Sequence, residues 1–118
     1  VYDVVIIGAG VAGLYTAMNL PKDNKVLIIN KNILGVQYLL GQGGVVTAVD
    51  DADEISHIKD TLESGAGLCN EAAVRVLSEH SREVVGDLIT KGFEFDKNEK
   101  GELLYTKEAA HSASRILH

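Results

Sequence analysis

The fold is decided by a stretch near the start of the chain, Val4-Val5-Ile6-Ile7-Gly8-Ala9-Gly10-Val11-Ala12-Gly13. Its opening apolar run, Val4 to Ile7, is too short for a helix and predicts a buried parallel strand. Glycines then interrupt the pattern before an apolar-periodic helix that runs from Leu14 to Leu20. A second apolar run, Lys25 to Ile29, predicts another strand that closes a βαβ unit. The sequence therefore predicts an α/β fold.

The glycines in this stretch have the spacing of a dinucleotide-binding turn. Gly8 permits the tight turn, Gly10 allows close approach of a pyrophosphate, and Gly13 allows the helix to pack closely on the strand. The start of the helix offers free N–H groups and a partial positive charge to the phosphates. The predicted binding residues are Gly8, Ala9, Gly10, Val11, Ala12 and Gly13. The alternative is a glycine turn in an α/β domain that binds no nucleotide.

The residues after the second strand depart from an ordinary NAD site. Such sites usually have an acidic side chain there, which accepts hydrogen bonds from the ribose hydroxyls. This chain has Asn30-Lys31-Asn32 instead. Lys31 can donate to a phosphate or a ribose oxygen, but it cannot accept as a carboxylate does. The residues alone therefore leave the identity of the nucleotide open.

Composition limits the function classes. The chain has 118 residues, long enough for one domain but short for a complete dinucleotide-dependent enzyme, so we expect it to be part of a larger protein. Its 11 basic and 17 acidic residues give a formal charge of -6, which disfavours nucleic acid and anionic membranes as partners. The single cysteine, Cys69, excludes an internal disulfide and suits a reducing cytosol. No apolar run has the length of a membrane span.

A glycine-rich apolar segment covers residues 33–49 and contains Gly35, Gly41, Gly43 and Gly44. Successive glycines often let a backbone approach a ligand or another segment closely. We interpret this segment as a second cofactor-facing loop. The alternative is a buried connection that binds no ligand.

The middle of the chain predicts a scaffold of two helices and a β-hairpin. Acidic residues from Asp50 to Glu54 start a helix that ends at Gly65, and Asn70 caps a second helix that ends at Lys91-Gly92. Alternating residues from Phe93, a polar turn and an apolar run to Tyr105 predict the hairpin. The acidic run does not match a calcium loop, and the histidines lack companions at metal-ligand spacing, so we predict no metal site.

A polar cluster follows the hairpin. Glu108, His111 and Arg115 provide a carboxylate, an imidazole and a guanidinium, a mixture suited to acid–base chemistry or to holding a charged substrate. The alternative is a structural or surface cluster.

Taken together, these motifs resemble the N-terminal part of a flavoprotein family. This family contains L-aspartate oxidase and the flavoprotein subunits of succinate dehydrogenase and fumarate reductase, and the motifs resemble the L-aspartate oxidase branch most. The resemblance runs along nearly the whole chain. Its anchors are Gly8 to Tyr15, Lys31, Gln42 to Gly44, His57 to Leu62, Gly65 to Cys69, Thr106 to Ser112 and Arg115 to His118.

This resemblance implies that residues 1–118 are a partial FAD-binding domain: the N-terminal part of a Rossmann-like βαβ domain with helices and a β-hairpin. The pyrophosphate of FAD would lie on the Gly8–Gly13 turn, and L-aspartate oxidases likewise carry a lysine at the position of Lys31. Glu108 would orient the substrate, followed in the same motif by His111. The loop along the flavin would comprise Gln37, Tyr38, Leu39, Leu40, Gly41, Gln42, Gly43 and Gly44.

The implied reaction is oxidation of L-aspartate to iminoaspartate, with oxygen or fumarate as electron acceptor, in the cytoplasmic route through quinolinate synthase to NAD. Because Gln37 stands where the succinate dehydrogenase branch has a flavin-linked histidine, FAD is expected to be non-covalent. The chain departs from the family at residues 37–41 and at Ala109-Ala110, where two glycines are usual. The rest of the family's active site lies beyond His118, so we expect no activity from this chain alone, and its exposed apolar surface favours self-association. The alternatives are a fumarate reductase-like fragment and a non-catalytic scaffold module.

Overall fold

The computed structural model describes residues 1–31 and 43–118. The chain forms two compact units, Val1–Gln42 and Gly43–His118. The first contains the predicted nucleotide turn, and the second contains the polar cluster around Arg115.

The first unit is the predicted βαβ unit. Strand β1 spans Val4–Ile7, helix α1 spans Val11–Asn19 and strand β2 spans Val26–Ile29. The two strands are parallel, with Val4 opposite Val26 and Ile7 opposite Ile29. Parallel pairing requires a crossover connection, and α1 supplies it. The predicted order of elements is therefore confirmed.

The turn between β1 and α1 requires glycine at two positions. Gly8 has φ +104°, a conformation that L side chains rarely adopt. A Cβ on Gly13 would lie 2.1 Å from the carbonyl oxygen of Gly8, so only glycine lets the first turn of α1 approach the strand this closely. The packing role predicted for Gly13 is confirmed.

The second unit is built on three helices: α2 over Asp51–Ser64, α3 over Glu71–Glu79 and α4 over Ser81–Thr90. The predicted Asn70 cap is present, since its side chain accepts from the Ala73 N–H, and α2 is also capped, by the Asp50 side chain, which accepts from the Asp53 N–H. None of the helices within residues 1–31 and 43–118 is long and apolar enough to cross a membrane.

The prediction of one continuous helix from Asn70 to Lys91 is wrong. The helix breaks at His80, which ends α3 and precedes α4 with φ -93° and ψ -1°. The Ser81 hydroxyl donates to the Ser78 carbonyl at 2.8 Å and accepts the Ala48 N–H at 3.0 Å. Serine hydroxyls that bond nearby backbone groups compete with helix hydrogen bonds, and periodicity alone does not reveal this.

A short antiparallel pair joins distant parts of the second unit. Strand β3, Val45–Val46, pairs with strand β4, Ile116–Leu117. A Cβ on Gly44 would lie 2.3 Å from the Ile116 side chain and 2.7 Å from the Leu117 carbonyl oxygen. The end of the glycine-rich segment therefore includes a strand, and Gly44 is a glycine because β4 lies against it.

The predicted β-hairpin is reduced to its turn. Lys97 and Leu103 form a single antiparallel bridge. Between them, the Asn98 side-chain oxygen accepts the N–H groups of Lys100 at 2.9 Å and Glu102 at 3.0 Å. An asparagine that bonds the backbone a few residues on satisfies the turn without extended strands on either side.

Candidate functional site

Arg115 is the centre of the polar cluster in the second unit. It directly precedes β4, and its side chain is fully buried. Three residues of α2 accept its N–H groups: Asp53, Ser56 and Asp60. Their spacing places them along one face of the helix.

Asp53 holds one side of the guanidinium. Its carboxylate accepts Arg115 Nη2 at 2.6 Å and Nε at 3.1 and 3.2 Å, and it also accepts the Val49 N–H at 3.0 Å. Burial alone would raise the pKa of Asp53, but the hydrogen bonds from Arg115, Val49 and Ser56 outweigh it and lower the pKa. Asp53 therefore remains ionised beside the cation.

Asp60 holds the other side and reaches a second segment of the chain. Its Oδ2 accepts the Ser112 N–H at 2.7 Å, the Ser112 hydroxyl at 2.8 Å and Arg115 Nη1 at 2.5 Å. The Ser112 backbone N–H, followed by Arg115, holds the pKa of Asp60 well below its usual range. Burial acts to lower the pKa of Arg115, but its two carboxylate partners raise it, so the guanidinium stays charged.

Two histidines lie beside this cation. Arg115 Nη1 is 3.2 Å from His111 Nδ1, and the His57 ring centroid is 6.0 Å from that of His111. His57 is buried and bonds Ser78 Oγ through Nδ1 at 3.1 Å. Burial, and then the positive charge of Arg115, lowers the pKa of His57, so this imidazole is neutral at pH 7.

A tight turn brings Glu108 and His111 together. The His111 N–H donates to the Glu108 carbonyl at 3.3 Å. Ala110, the third residue of the turn, has φ +69°, whereas Ala109 does not have a positive φ. A four-residue turn with positive φ at its third position favours glycine there, because a Cβ is strained in that conformation. Ala110 therefore carries backbone strain.

The Glu108 side chain lies beside His118 and is half exposed. Its Oε1 is 3.4 Å from His118 Nε2, and that nitrogen is 3.0 Å from Thr106 Oγ1. The Thr106 hydroxyl also lies 3.3 Å from the Ile116 carbonyl. Glu108 is thus a restrained carboxylate that is still accessible to a ligand.

The three residues of the predicted polar cluster lie in different environments. His111 contacts Arg115, and Glu108 lies on the same turn as His111. The third member of the cluster, Arg115, has a buried side chain whose charge is met by two carboxylates. Within the described ranges, no group of three histidine, cysteine or acidic residues is arranged to hold a metal ion.

The first unit has the features that a pyrophosphate requires. Helix α1 starts after Gly10 without a side-chain cap, so within residues 1–31 and 43–118 the first-turn amides of Val11 and Ala12 have no side-chain acceptor. Beyond β2, Asn30 Oδ1 accepts the Ala9 N–H at a long 3.5 Å, and the next residue, Lys31, is exposed. The turn and helix start of this unit therefore fit a dinucleotide phosphate.

Most of the predicted flavin loop falls in the part of the chain without a structural description. Gln37, Tyr38, Leu39, Leu40, Gly41 and Gln42 lie outside the described residues. Gly43 is exposed, and a Cβ added there would meet no described atom within 4 Å. The roles of these residues remain predictions.

Sequence reasoning missed the residues that hold the cluster together. Asp53 was expected only as part of an acidic helix start, and Asp60 only as part of a family motif. Both are separated from Arg115 by more than fifty residues of chain, so their spacing gives no local signal. Asp53, Ser56 and Asp60 recur at helical spacing on the face of α2 opposite Ile55, Ile58 and Leu62, a pattern that is equally typical of a solvent-exposed polar face, so it did not reveal the partner.

Comparison with known proteins agrees with the dinucleotide binding that the glycine turn predicts. The chain matches the family described as FAD binding domain over residues 3–118. It is 44% identical over 117 residues to an L-aspartate oxidase of Clostridium acetobutylicum, a match that covers 98% of this chain and 27% of that protein. An L-aspartate oxidase of Pseudomonas aeruginosa is 42% identical over 127 residues, covering 99% of this chain and 23% of that protein.

Two solved structures have a similar fold. The Mycobacterium smegmatis Sdh1 complex in the apo form superposes with a TM-score of 0.89 at 28% identity, covering 99% of this chain and 21% of that one. An E. coli quinol fumarate reductase FrdA variant superposes with a TM-score of 0.88 at 23% identity, covering 98% and 21%, and shows the fold alone. The chain spans about a quarter of the length of the curated relatives named above.

We expect Ala110→Gly to stabilise the protein by about 0.5–1 kcal/mol. Relief of the left-handed strain, about 1–2 kcal/mol, exceeds the added entropy of glycine in the unfolded chain, about 0.4–1 kcal/mol. Ala109→Gly is the matched control, which lacks the strain and should lose about 0.5–1 kcal/mol. Urea denaturation measures both, and equal losses in the two variants would show that the strain at Ala110 is negligible.

Acid should destabilise the protein through Asp60 and Asp53. Their pKa values are lower in the folded state than the ordinary 3.8, so their stabilisation is present above pH 5 and is lost as the pH falls toward the folded pKa values. Asp60→Asn should lower the free energy of unfolding by about 2 kcal/mol at pH 7 and should make that free energy less dependent on pH in acid. Glu99→Gln, on an exposed loop, should change neither the free energy of unfolding nor its dependence on pH. Denaturation from pH 7 to pH 2 tests this, and an unchanged dependence on pH in Asp60→Asn would contradict it.

Proposed function

The chain belongs to the FAD binding domain family, and from this premise we propose that it is the N-terminal, FAD-binding part of an L-aspartate oxidase. The observation that carries the proposal is identity of 40–44% to L-aspartate oxidases along 98% or more of this chain. Sequence identity to the Sdh1 complex is lower, at 28%, and supports membership of the broader superfamily but not a role like that of Sdh1. The whole protein would contain the remaining parts of the active site.

The Gly8–Gly13 turn would hold the pyrophosphate of FAD. With a formal charge of -6 and no basic cluster, the chain must bind phosphate through backbone N–H groups, and the start of α1 provides them. FAD supplies the redox chemistry when bound, by accepting a hydride from the substrate α-carbon. Because an amide at Gln37 cannot form the covalent flavin link of a histidine, FAD would dissociate reversibly.

Glu108 would bind the substrate. Its carboxylate is half exposed, restrained by His118 at 3.4 Å, and suited to pair with the ammonium group of L-aspartate. This pairing would distinguish aspartate from dicarboxylates that lack the amine. His111, on the same turn, would complete the orientation of the substrate.

The product would be iminoaspartate, and the electron acceptor would be oxygen or fumarate. A downstream quinolinate synthase would consume the product on the route to NAD, and this route would run in the cytoplasm. Lys31, exposed after β2, would donate to the cofactor in place of the usual acidic residue.

We expect FAD to bind the 118-residue chain and NAD not to compete. Flavin fluorescence should be quenched to saturation on titration with the protein. Gly10 has φ -76° and ψ 176°, which any L-residue can adopt, so Gly10→Ala should keep the fold while crowding the pyrophosphate and weakening FAD binding at least about tenfold. Gly86→Ala, a helical glycine with open space around it, is the control and should leave the affinity unchanged.

If the chain does not bind FAD, either contacts from the rest of the protein are required or the departures at residues 37–41 prevent binding. The same titration with the complete protein distinguishes these two explanations, because only the first predicts that the complete protein binds FAD. Equal affinity for FAD and NAD would contradict the flavoprotein assignment.

Glu108→Gln in the complete protein should impair L-aspartate oxidation more than fumarate reduction. The amide cannot form an ion pair with the substrate ammonium, a charge-assisted contact of roughly 1.5–3 kcal/mol, so kcat/KM for aspartate should fall about 10–100-fold. Fumarate has no ammonium group and should be reduced at a rate closer to that of the unaltered protein. Steady-state kinetics with both substrates measure the ratio, with Glu99→Gln as the control; equal losses in both reactions would exclude this role.

A further inference from the structure

We propose that Arg115 is a positioning residue that fixes the tautomer of His111, so that His111 acts toward the bound ligand as a hydrogen-bond donor through Nε2. The hydrogen-bond pattern around Arg115 carries this inference. The identity of the ligand rests on the proposed function, whereas the tautomer does not.

The guanidinium of Arg115 has five N–H groups and no acceptor. Asp53 accepts from Nε and from Nη2, Ser56 accepts from Nη2 at 2.7 Å, and Asp60 accepts from Nη1. One N–H of Nη1 remains, and it points at His111 Nδ1 at 3.2 Å. Since the guanidinium is fully buried, leaving this N–H without an acceptor would cost free energy. His111 therefore completes the set of partners.

A ring nitrogen that accepts a hydrogen bond carries no proton. Neutral imidazole has one N–H, so acceptance at Nδ1 places the proton of His111 on Nε2. Arg115 cannot reverse this role, because its guanidinium never acts as an acceptor. The clamp by Asp53 and Asp60 also prevents the guanidinium from turning away. The direction of the hydrogen bond is thus imposed by the buried cation.

The Nε2–H group of His111 is available to a ligand. The residue is partly exposed, and within the described ranges no hydrogen bond to Nε2 is formed by another protein group. A donor on Nε2 selects an acceptor oxygen. Under the proposed function, this oxygen would belong either to a carboxylate of the substrate or to a carbonyl of the flavin. In either case His111 holds its proton and does not remove one from the substrate.

His57 provides an internal reference with the opposite tautomer. Its Nδ1 lies 3.1 Å from Ser78 Oγ, and that hydroxyl donates its own hydrogen to the Glu54 carbonyl at 3.3 Å. With its hydrogen on the Glu54 carbonyl, Ser78 Oγ accepts from His57, and we expect the His57 proton on Nδ1. Two neighbouring rings, 6.0 Å apart, should carry their protons on different nitrogens.

The tautomers can be read by NMR without any activity assay. The complete protein, labelled with 15N-histidine, gives long-range 1H–15N spectra in which protonated and unprotonated ring nitrogens are separated. We expect His111 to show a protonated Nε2 and a bare Nδ1, and His57 to show the reverse. His111→Gln assigns the signals by removing one set. A protonated Nδ1 in His111, or the averaged pattern of a free imidazole, would overturn the proposal.

Arg115→Lys tests the positioning role. An ammonium on a shorter side chain cannot reproduce the fork, so the fixed pattern of His111 should change to an averaged one while the signals of His57 and His80 show that the fold persists. Arg82→Lys, at an exposed ion pair with Asp51, is the control and should leave His111 unchanged. An unaltered His111 pattern in folded Arg115→Lys would assign the tautomer to something other than Arg115.

Substitutions at His111 itself provide a second test that does not depend on Arg115→Lys folding. Glutamine places an N–H donor near the position of Nε2, whereas asparagine offers an acceptor near Nδ1 without the outer donor. We expect His111→Gln to keep KM for L-aspartate within about threefold and His111→Asn to raise it at least about tenfold, with unchanged FAD affinity, if the acceptor is a substrate carboxylate. A loss of FAD affinity confined to His111→Asn would assign the acceptor to the flavin. Equal effects of the two variants on both quantities would overturn the donor role.

Failure of the proposed function is distinguishable from failure of this inference. If the unaltered complete protein binds FAD but does not oxidise L-aspartate, the substrate assignment is wrong while the spectra still decide the tautomer of His111. If it oxidises L-aspartate and the spectra show a protonated Nδ1, the function stands and the role assigned to Arg115 does not.

Discussion

The buried charge of Arg115 is the constraint on which the second unit depends. Removing a cation from water is costly unless ionised partners and hydrogen bonds surround it, and Asp53 and Asp60 provide both from one face of α2. Because Arg115 directly precedes β4, this clamp fixes the last strand against the helix. Strand β4 in turn pairs with β3, so Val45 lies opposite Leu117 and Gly44 lies against Ile116.

The same clamp shapes the turn that carries the candidate substrate residues. Asp60 holds Ser112 through both its N–H and its hydroxyl, and Arg115 holds His111. These contacts lie immediately after Ala110 and offset the strain of its left-handed backbone, as strained residues require. Within the motif from His57 to Leu62, Asp60 is the residue that supports the turn, through Ser112 and Arg115.

In the proposed function, the two units bind their ligands through different kinds of groups. The first offers backbone groups at a glycine turn and the start of α1, which suit any dinucleotide phosphate and carry little specificity. In the proposed function, the second offers side chains of defined charge and proton position, with Glu108 as an acceptor and His111 as a donor. Recognition of a particular small molecule would depend on this second kind of group, because a site built to hydrogen-bond an amine or hydroxyl rejects an analogue that lacks it.

The sequence by itself determined the βαβ unit, the glycine turn, the acidic start of α2 and the Asn70 cap of α3, because each of these follows from residues close together in the chain. It also predicted substrate-orienting roles for Glu108 and His111 through a family motif, and those roles stay predictions. Only the tertiary structure decided that Arg115 is a buried cation, that Asp53 and Asp60 neutralise it, that the helix after Asn70 breaks at His80, and that Ala110 sits at positive φ. Those features depend on contacts between residues far apart in sequence, and local periodicity contains no information on which distant partner a charged or hydroxyl side chain will meet.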